Sequence, residues 1–139
     1  MNKQFLLCFG LFCLLFPAIG CTGYCSMKGK VVFSDDKTPL TQGEVCFVTD
    51  TNIARGPIDE NGNYIISSVK KNDGLLRGTY RIYLTDTEIN EKVPGRPAFN
   101  MIPRIDAKYG SPDTSGLVLE VKRSMIYNIE VDRFDASKQ

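Results

Sequence analysis

The residues of this chain that could do chemistry are carboxylates and cysteines, because none of its 139 residues is a histidine. Without imidazole, the chain cannot build a Ser-His-Asp or Cys-His nucleophile system, and it lacks the commonest metal ligand. The adjacent carboxylates of Asp35 and Asp36 are expected in a solvated turn, since nothing in the sequence indicates a second carboxylate held across a cleft from them. We therefore predict no catalytic residue, no metal site and no cofactor, and we predict that the protein is not an enzyme.

The segment DENGN, residues 59–63, is the one most similar to a calcium loop. A calcium loop of the D-x-[DN]-x-[DN]-G type requires glycine where Tyr64 stands, and it requires a glutamate farther along the chain, which this sequence does not supply. Asp, Asn and Gly at this spacing are instead typical of a tight turn. The segment is predicted to be the turn of a β-hairpin.

Cys21 follows an N-terminal segment with the three-part layout of a secretory signal peptide. Lys3 precedes an apolar run of about 12 residues that Pro17 interrupts, whereas a membrane-spanning helix needs about 20. Small residues, Ala18 and Gly20, then lead to the cysteine. This layout predicts that residues 1–20 are removed on export.

The sequence Ala18-Ile19-Gly20-Cys21 resembles the lipobox of bacterial lipoproteins, in which the cysteine thiol takes a diacylglycerol and its amino group becomes the mature N-terminus. The resemblance implies that Cys21 carries fatty acyl chains such as palmitate and that residues 21–28 tether a folded domain to a membrane. Thr22 in place of aspartate favours the outer membrane over the inner one. The alternative is an ordinary signal-peptidase site after Gly20, which would release the same chain without lipid.

The charge balance of the exported chain disfavours nucleic acid as a partner. Lys3 is the only charged residue among the first 20, so its removal from 17 basic and 16 acidic residues leaves 16 of each sign. A chain without a basic excess gains little from counterion release on phosphates. Cys25 and Cys46 also remain after processing, and a disulfide between them is one reading, but hairpin pairing would place them well apart, which favours a buried Cys46 thiol.

Alternation of apolar and polar residues, rather than helical spacing, organises the exported chain. In GTYRIYLTD, Tyr80, Ile82 and Leu84 share one face of a strand, and GLVLEVKR alternates in the same way. Short strands separated by Gly, Pro, Asn and Asp favour an antiparallel β-sandwich. The seven predicted strands lie in residues 27–34, 43–50, 52–58, 63–69, 78–86, 116–123 and 125–134.

The segments GKVVFSDDKTPLTQGEVCFV, IDENGNYII and GTYRIYL are similar to the transthyretin-like, carboxypeptidase regulatory-like sandwich, and IDAKYGSPDTSGLVLEVK is similar to small lipoproteins of planctomycetes and their relatives. The resemblance implies a seven-stranded antiparallel Greek-key β-sandwich over residues 29–134, followed by a tail, residues 135–139. The matching residues are mostly at turn and core positions, so the resemblance implies a fold but no activity.

The connection over residues 86–116 is much longer than the usual 4 to 6 residues or so, and it contains four prolines. Aromatic and cationic side chains suited to recognition are predicted to form a binding loop there. The alternative is that Phe99, Met101, Ile102 and Ile105 fold back over an open edge of the sandwich. The residues assigned to the binding loop are Arg96, Phe99, Arg104, Lys108 and Tyr109.

Two functions follow as hypotheses. In the first, the chain is a lipid-anchored, non-catalytic envelope module that supports protein contacts or envelope structure. In the second, it is a small lipoprotein that binds a peptide or carbohydrate through the long loop. The sequence leaves the oligomeric state open.

Overall fold

The computed structural model describes residues 23–138, which form a β-sandwich without an α-helix. Within these residues, the structure contains no helix that could span a bilayer. The predicted signal peptide, 1–20, and Cys21 lie outside the described residues. The strands are β1 (Tyr24–Cys25), β2 (Met27–Phe33), β3 (Glu44–Val48), β4 (Ile53–Pro57), β5 (Asn63–Ile65), β6 (Leu75–Leu76), β7 (Gly78–Thr85), β8 (Ile89–Lys92), β9 (Phe99–Ile102), β10 (Leu117–Val121), β11 (Met125–Ile126) and β12 (Ile129–Val131). Two 3-10 helices are η1 (Ala107–Gly110) and η2 (Ala136–Lys138).

One sheet has the strand order β10-β7-β3-β4, and all its neighbours are antiparallel. The other sheet is centred on β2, with β5 antiparallel on one side and β11 and β12 parallel on the other. The prediction of purely antiparallel pairing is therefore wrong for these two pairs. The chain crosses from one sheet to the other after β10 and arrives running in the direction of β2, which is how parallel neighbours arise.

Each of the seven predicted segments contains a strand, but the last one is divided into β11 and β12. At the break, the Tyr127 carbonyl accepts a hydrogen bond from the Tyr64 hydroxyl, and the Asn128 side chain accepts one from the backbone N–H of Lys30. The Tyr127 N–H still donates to the Lys28 carbonyl at 2.9 Å, so side chains replace the ladder bonds only at the Tyr127 carbonyl and the Lys30 N–H. The alternating pattern of the segment did not reveal this local substitution.

The core lies between the two sheets, and the predicted inward face of β7 is confirmed. Tyr80, Ile82 and Leu84 are buried, and the Phe47 ring lies between Tyr80 and Tyr64 with centroid separations of 6.1 and 6.5 Å. Edge and tilted arrangements at such distances suit aromatic quadrupoles. Each sheet therefore contributes the alternate residues of its strands to one shared apolar layer.

Cys25 and Cys46 are both buried and carry free thiols. Cys46 lies on β3 with Tyr83 and Arg55 as its cross-strand neighbours, and burial raises the pKa of its thiol. The sequence-based preference for a buried Cys46 over a disulfide is confirmed. Cys25 is in β1, which pairs with β6, so the first strand begins inside the segment 21–28 that the sequence assigned to a tether.

Strand β7 runs the length of its sheet and defines two ends of the sandwich, which we name by its first and last residues. At the Gly78 end lie β1, β6 and the segment that follows β10, because Gly78 pairs with Val121. At the Thr85 end lie the start of β3, paired with Thr85 through Glu44, and the hairpin β8–β9 that follows β7. The exposed side chains at the two ends differ in type.

Candidate functional site

The long connection of residues 86–116 is divided into two parts with different roles. Its first part forms the hairpin of β8 and β9, in which all eight strand residues are exposed. Its second part packs on the sandwich, where Ile105 and Tyr109 are buried. Of the four residues in the covering alternative, Ile105 is buried, whereas Phe99, Met101 and Ile102 are exposed on the hairpin. The binding role of the loop stays a prediction.

One face of the hairpin carries two large apolar side chains that other described residues do not cover. Asn90 pairs with Met101 and Lys92 pairs with Phe99, so these four side chains share one face of the two-stranded ribbon. The exposed fractions of Phe99 and Met101 are 66% and 69%. We call this surface, formed by Asn90, Lys92, Phe99 and Met101, the hairpin face.

A tight turn closes the hairpin and holds Arg96. The backbone N–H of Val93 donates to the Ala98 carbonyl at 3.0 Å, and that of Arg96 donates to the Val93 carbonyl at 3.2 Å. Gly95 has a φ of +76°, a conformation that residues with a Cβ rarely adopt. Arg96 is exposed at the tip, so the structure places Arg96 and Phe99 together on the hairpin.

The base of the hairpin is fixed to the sandwich by one side chain. Gln42 Nε2 donates to the Glu88 carbonyl at 2.7 Å, which lies immediately before β8. Thr87 is buried beside Gly43, where a Cβ would lie 2.8 Å from the Thr87 methyl group. The hairpin therefore projects from an anchored base.

Arg104 does not join the hairpin face. Its Nη1 donates to Thr41 Oγ1 at 3.1 Å, and its guanidinium carbon lies 5.6 Å from the centre of the Phe33 ring. This position fixes the second part of the connection to the end of β2. A cation over an aromatic face at this distance is a stabilising contact.

Lys108 and Tyr109 are also held by the sandwich. Lys108 Nζ lies 2.6 Å from Asp132 Oδ2, and the Tyr109 hydroxyl donates to the same oxygen at 3.1 Å. Hydrogen bonds from Lys108, Ser34 and Tyr109 lower the pKa of Asp132 to about 2. Burial raises the pKa of the Tyr109 hydroxyl, and the hydrogen bond to Asp132 raises that of Lys108.

Arg133 organises a second charged cluster that sequence reasoning did not find. Its guanidinium donates to Asp35 and Asp36 at 2.9 and 2.8 Å and lies 3.8 Å above the Phe33 ring. Hydrogen bonds from Thr38, together with those from Arg133, lower the pKa of Asp36 to about 2. Arg133 and Asp36 are 97 residues apart in the sequence, so no local pattern could have connected them.

The carboxylate of Asp59 accepts hydrogen bonds within its own turn, and the turn itself was predicted from the sequence. Its Oδ1 accepts from the backbone N–H groups of Asn61 and Asn63 at 2.9 and 2.8 Å, and Gly62 has a φ of +82°. These bonds lower the pKa of Asp59, that from Asn63 most strongly. Within residues 23–138, the structure shows no cluster of three or more cysteine or carboxylate side chains placed to hold a metal ion.

A shallow cleft of about 250 Å³ lies at the base of the hairpin. Its lining includes the apolar residues Leu84, Ile105 and Phe134 and the acidic residues Glu88 and Asp106. The cleft thus combines apolar walls with hydrogen-bond acceptors. Its lining includes residues from both parts of the long connection.

Comparison with known proteins gives distant structural likenesses only. No family model matches the sequence, and no curated protein matches it. A DUF3823 family protein from Bacteroides ovatus is 14% identical with a TM-score of 0.45, over 78% of this chain and 44% of that one. BcpA, the major pilin subunit of Bacillus cereus, is 14% identical with a TM-score of 0.42, over 81% of this chain and 30% of that one. This chain therefore spans less than half the length of either structure.

Proposed function

We propose that this protein is a non-catalytic, lipid-anchored module of the cell envelope that contacts other proteins through the hairpin face. The exposed hairpin carries the proposal. Phe99 and Met101 leave large apolar groups in water, next to the cation of Lys92. Aromatic, methionine and cationic side chains on a projecting element are typical of protein interfaces.

The backbone of the hairpin adds a second means of recognition. The ribbon has two strands, so each has an outer edge whose N–H and C=O groups no other described strand uses. An exposed strand edge can add an extended segment of a partner as a further strand. Backbone pairing would then supply affinity, and the hairpin face would supply specificity.

The non-catalytic part of the proposal is supported by the chemistry of the side chains. The sequence has no histidine, which removes the usual general base. The carboxylates with the most strongly lowered pKa values, Asp36 and Asp132, are engaged by Arg133 and Lys108 in ion pairs that fix the fold. Their environment favours the charged form, which is the opposite of what a general acid requires.

A second candidate function is binding of a peptide or carbohydrate in the cleft at the hairpin base. The carboxylates of Glu88 and Asp106 beside Phe134 favour it, since sugars and peptides are bound by acceptors next to apolar and aromatic surfaces.

We also propose a specific topology for the sandwich. We infer a transthyretin-like Greek key from the motif resemblance and from the crossings between sheets after β2, β4, β5 and β10.

The hairpin proposal is tested by crosslinking in intact envelopes, with the partner identified by mass spectrometry. The double variant Phe99→Ser/Met101→Ser is expected to lose the crosslinked partner. Because both side chains are mainly exposed, the free energy of unfolding should change by less than about 1 kcal/mol. The matched control is Val118→Ser on β10, which removes a side chain that is 59% exposed and lies away from the hairpin.

Retention of the same partner by the double variant would contradict the hairpin proposal. The cleft candidate makes a different prediction, because Glu88→Gln/Asp106→Asn would weaken binding of a peptide or glycan while leaving the hairpin face intact. Loss in only one of the two double variants therefore assigns the partner to one surface.

A further inference from the structure

We propose that the Gly78 end of the sandwich docks on the anionic headgroups of the membrane and holds the domain upright, with the hairpin pointing away. The inference rests on the proposed lipidation of Cys21 and goes beyond it, because a lipid anchor alone sets no orientation. The docking surface, which we call the basic end, consists of Lys28, Lys70, Lys71, Arg77, Lys122 and Arg123 with the exposed apolar residues around them.

Covalent geometry brings the basic end close to the lipid. Tyr24 is the first strand residue and is three residues from Cys21, and an extended chain covers at most about 3.6 Å per residue. Three residues of chain therefore span at most about 11 Å. Tyr24 pairs with Leu76, the residue before Arg77, so acyl chains on Cys21 would place this end of the sandwich at the headgroups.

The charges of the mature chain are separated along the sandwich, although their sum is zero. The segments at the Gly78 end (23–28, 49–52, 67–77 and 120–124) contain six cations and three carboxylates, those of Asp50, Asp73 and Glu120. The rest of the chain after residue 20 consequently has three more acidic than basic residues. The end nearest Cys21 is thus positive, as an anionic surface requires.

The cations of the basic end are also free to meet phosphate groups. Among residues 23–138, one of the six is in an ion pair, with Lys122 Nζ 3.1 Å from Glu120 Oε2. By contrast, Lys37, Lys108 and Arg133 near the Thr85 end all pair with carboxylates. Lys92 and Arg96 on the hairpin also have no carboxylate partner among the described residues, so the basic end is distinguished by its excess of three cations, five of its six being unpaired.

Apolar side chains lie among these cations. Val69, Ile126 and Leu76 have exposed fractions of 78%, 65% and 39%. The carboxylate of Asp73 accepts from the backbone N–H groups of Ser68, Val69 and Lys70, which shapes the loop that carries Val69 outward. Exposed apolar residues between cations are the composition of surfaces that rest at the boundary of headgroups and acyl chains.

The test uses the absence of tryptophan from the sequence, which makes an introduced tryptophan a unique probe. Val69→Trp places it at the basic end and Phe99→Trp places it on the hairpin. Each protein is purified from membranes, its N-terminal mass is measured, and it is mixed with vesicles of phosphatidylcholine, with or without phosphatidylglycerol, that carry a headgroup quencher. We expect phosphatidylglycerol to increase quenching of the probe at residue 69 and to leave the probe at residue 99 weakly quenched.

The basic end is then tested directly by charge removal in the Val69→Trp protein. Lys70→Gln, Lys71→Gln and Arg77→Gln together should abolish the effect of phosphatidylglycerol. For protein without acyl chains, each lost cation should weaken binding to these vesicles about fivefold, since a cation near an anionic surface contributes about 1 kcal/mol. Lys37→Gln, Lys92→Gln and Arg96→Gln, which remove three cations from the opposite end, are the matched control and should preserve the effect.

The outcomes separate this inference from the anchor proposal. Acyl mass on Cys21 with equal quenching of the two probes would overturn the docking and keep the anchor. A mature protein without acyl mass that still binds phosphatidylglycerol through residue 69 would keep the docking and overturn the anchor. An unacylated protein that binds neither kind of vesicle would overturn both.

Discussion

At Gly29, β2 passes close to the backbone of Tyr127 in the C-terminal chain. A Cβ at this position would lie 1.8 Å from the Tyr127 carbonyl oxygen, which is a backbone atom and cannot move aside cheaply. The same carbonyl accepts the hydrogen bond of the Tyr64 hydroxyl at 2.6 Å, so the site is also a polar contact that the core requires. Burial raises the pKa of Tyr64, which keeps its hydroxyl a donor.

We expect Gly29→Ala to destabilise the protein by at least about 2 kcal/mol, because the new methyl group must displace backbone. The effect should be measured as a lower urea midpoint. The control is Gly110→Ala, where nothing lies within 4 Å of the added Cβ and the change should stay within about 1 kcal/mol. Equal effects of the two substitutions would show that the close approach at Gly29 does not constrain the fold.

At the scale of elements, the two parts of the long connection differ in what holds them. The second part is tied to the sandwich through η1, since Lys108 and Tyr109 both reach Asp132 beside β12. The hairpin of β8 and β9 is held at its base by Gln42 and buries none of its eight strand residues. Two strands alone are marginally stable in water, so the proposed contact with a partner would add to the stability of the hairpin.

The contacts of Lys108 and Tyr109 in η1 with Asp132, next to β12, should weaken at low pH. The folded-state pKa of Asp132, about 2, is below its ordinary value of 3.8, so its contribution to stability is present above about pH 4 and is lost as the pH falls toward 2. We expect Asp132→Asn to lower the free energy of unfolding by about 1 kcal/mol near pH 7, since the pair is partly exposed, and by progressively less below pH 4.

Urea unfolding at a series of pH values measures this difference. Asp50→Asn is the control, because the Asp50 side chain is 99% exposed and should show no such convergence with the wild-type protein at low pH. A constant difference between wild type and Asp132→Asn from pH 7 to pH 2 would contradict the proposed role of the carboxylate.

At the scale of the whole molecule, the fold separates two surfaces by the length of β7. Eight residues at about 3.3 Å each place the basic end and the hairpin roughly 25 Å apart. In the proposed arrangement, the domain is attached at the basic end, and the hairpin is placed for contacts beyond the membrane surface. This arrangement links the two proposals, because the anchor and the basic end together decide where the hairpin points.

The anchor makes the most direct prediction at this scale. Cys21→Ser should abolish labelling with a fatty-acid analogue and move the protein from the membrane fraction to the soluble fraction, because two or more acyl chains anchor stably whereas none remains in the variant. Cys46→Ser, which changes a buried thiol on β3, is the control and should keep the label. Wild-type protein that is soluble and unlabelled would overturn the anchor.

The β class, the turn at Asp59 and the inward face of β7 were predictable from the sequence, because alternation and turn chemistry are local properties. The parallel strands β11 and β12, the Arg133 cluster and the division of residues 86–116 came only from the tertiary structure. Each depends on residues far apart in the chain, such as Lys108 and Asp132 or Arg133 and Asp36, and local spacing contains no information on which distant charges meet. The separation of charge between the two ends has the same cause, since a net charge is a sum and the fold alone assigns each charge to a place.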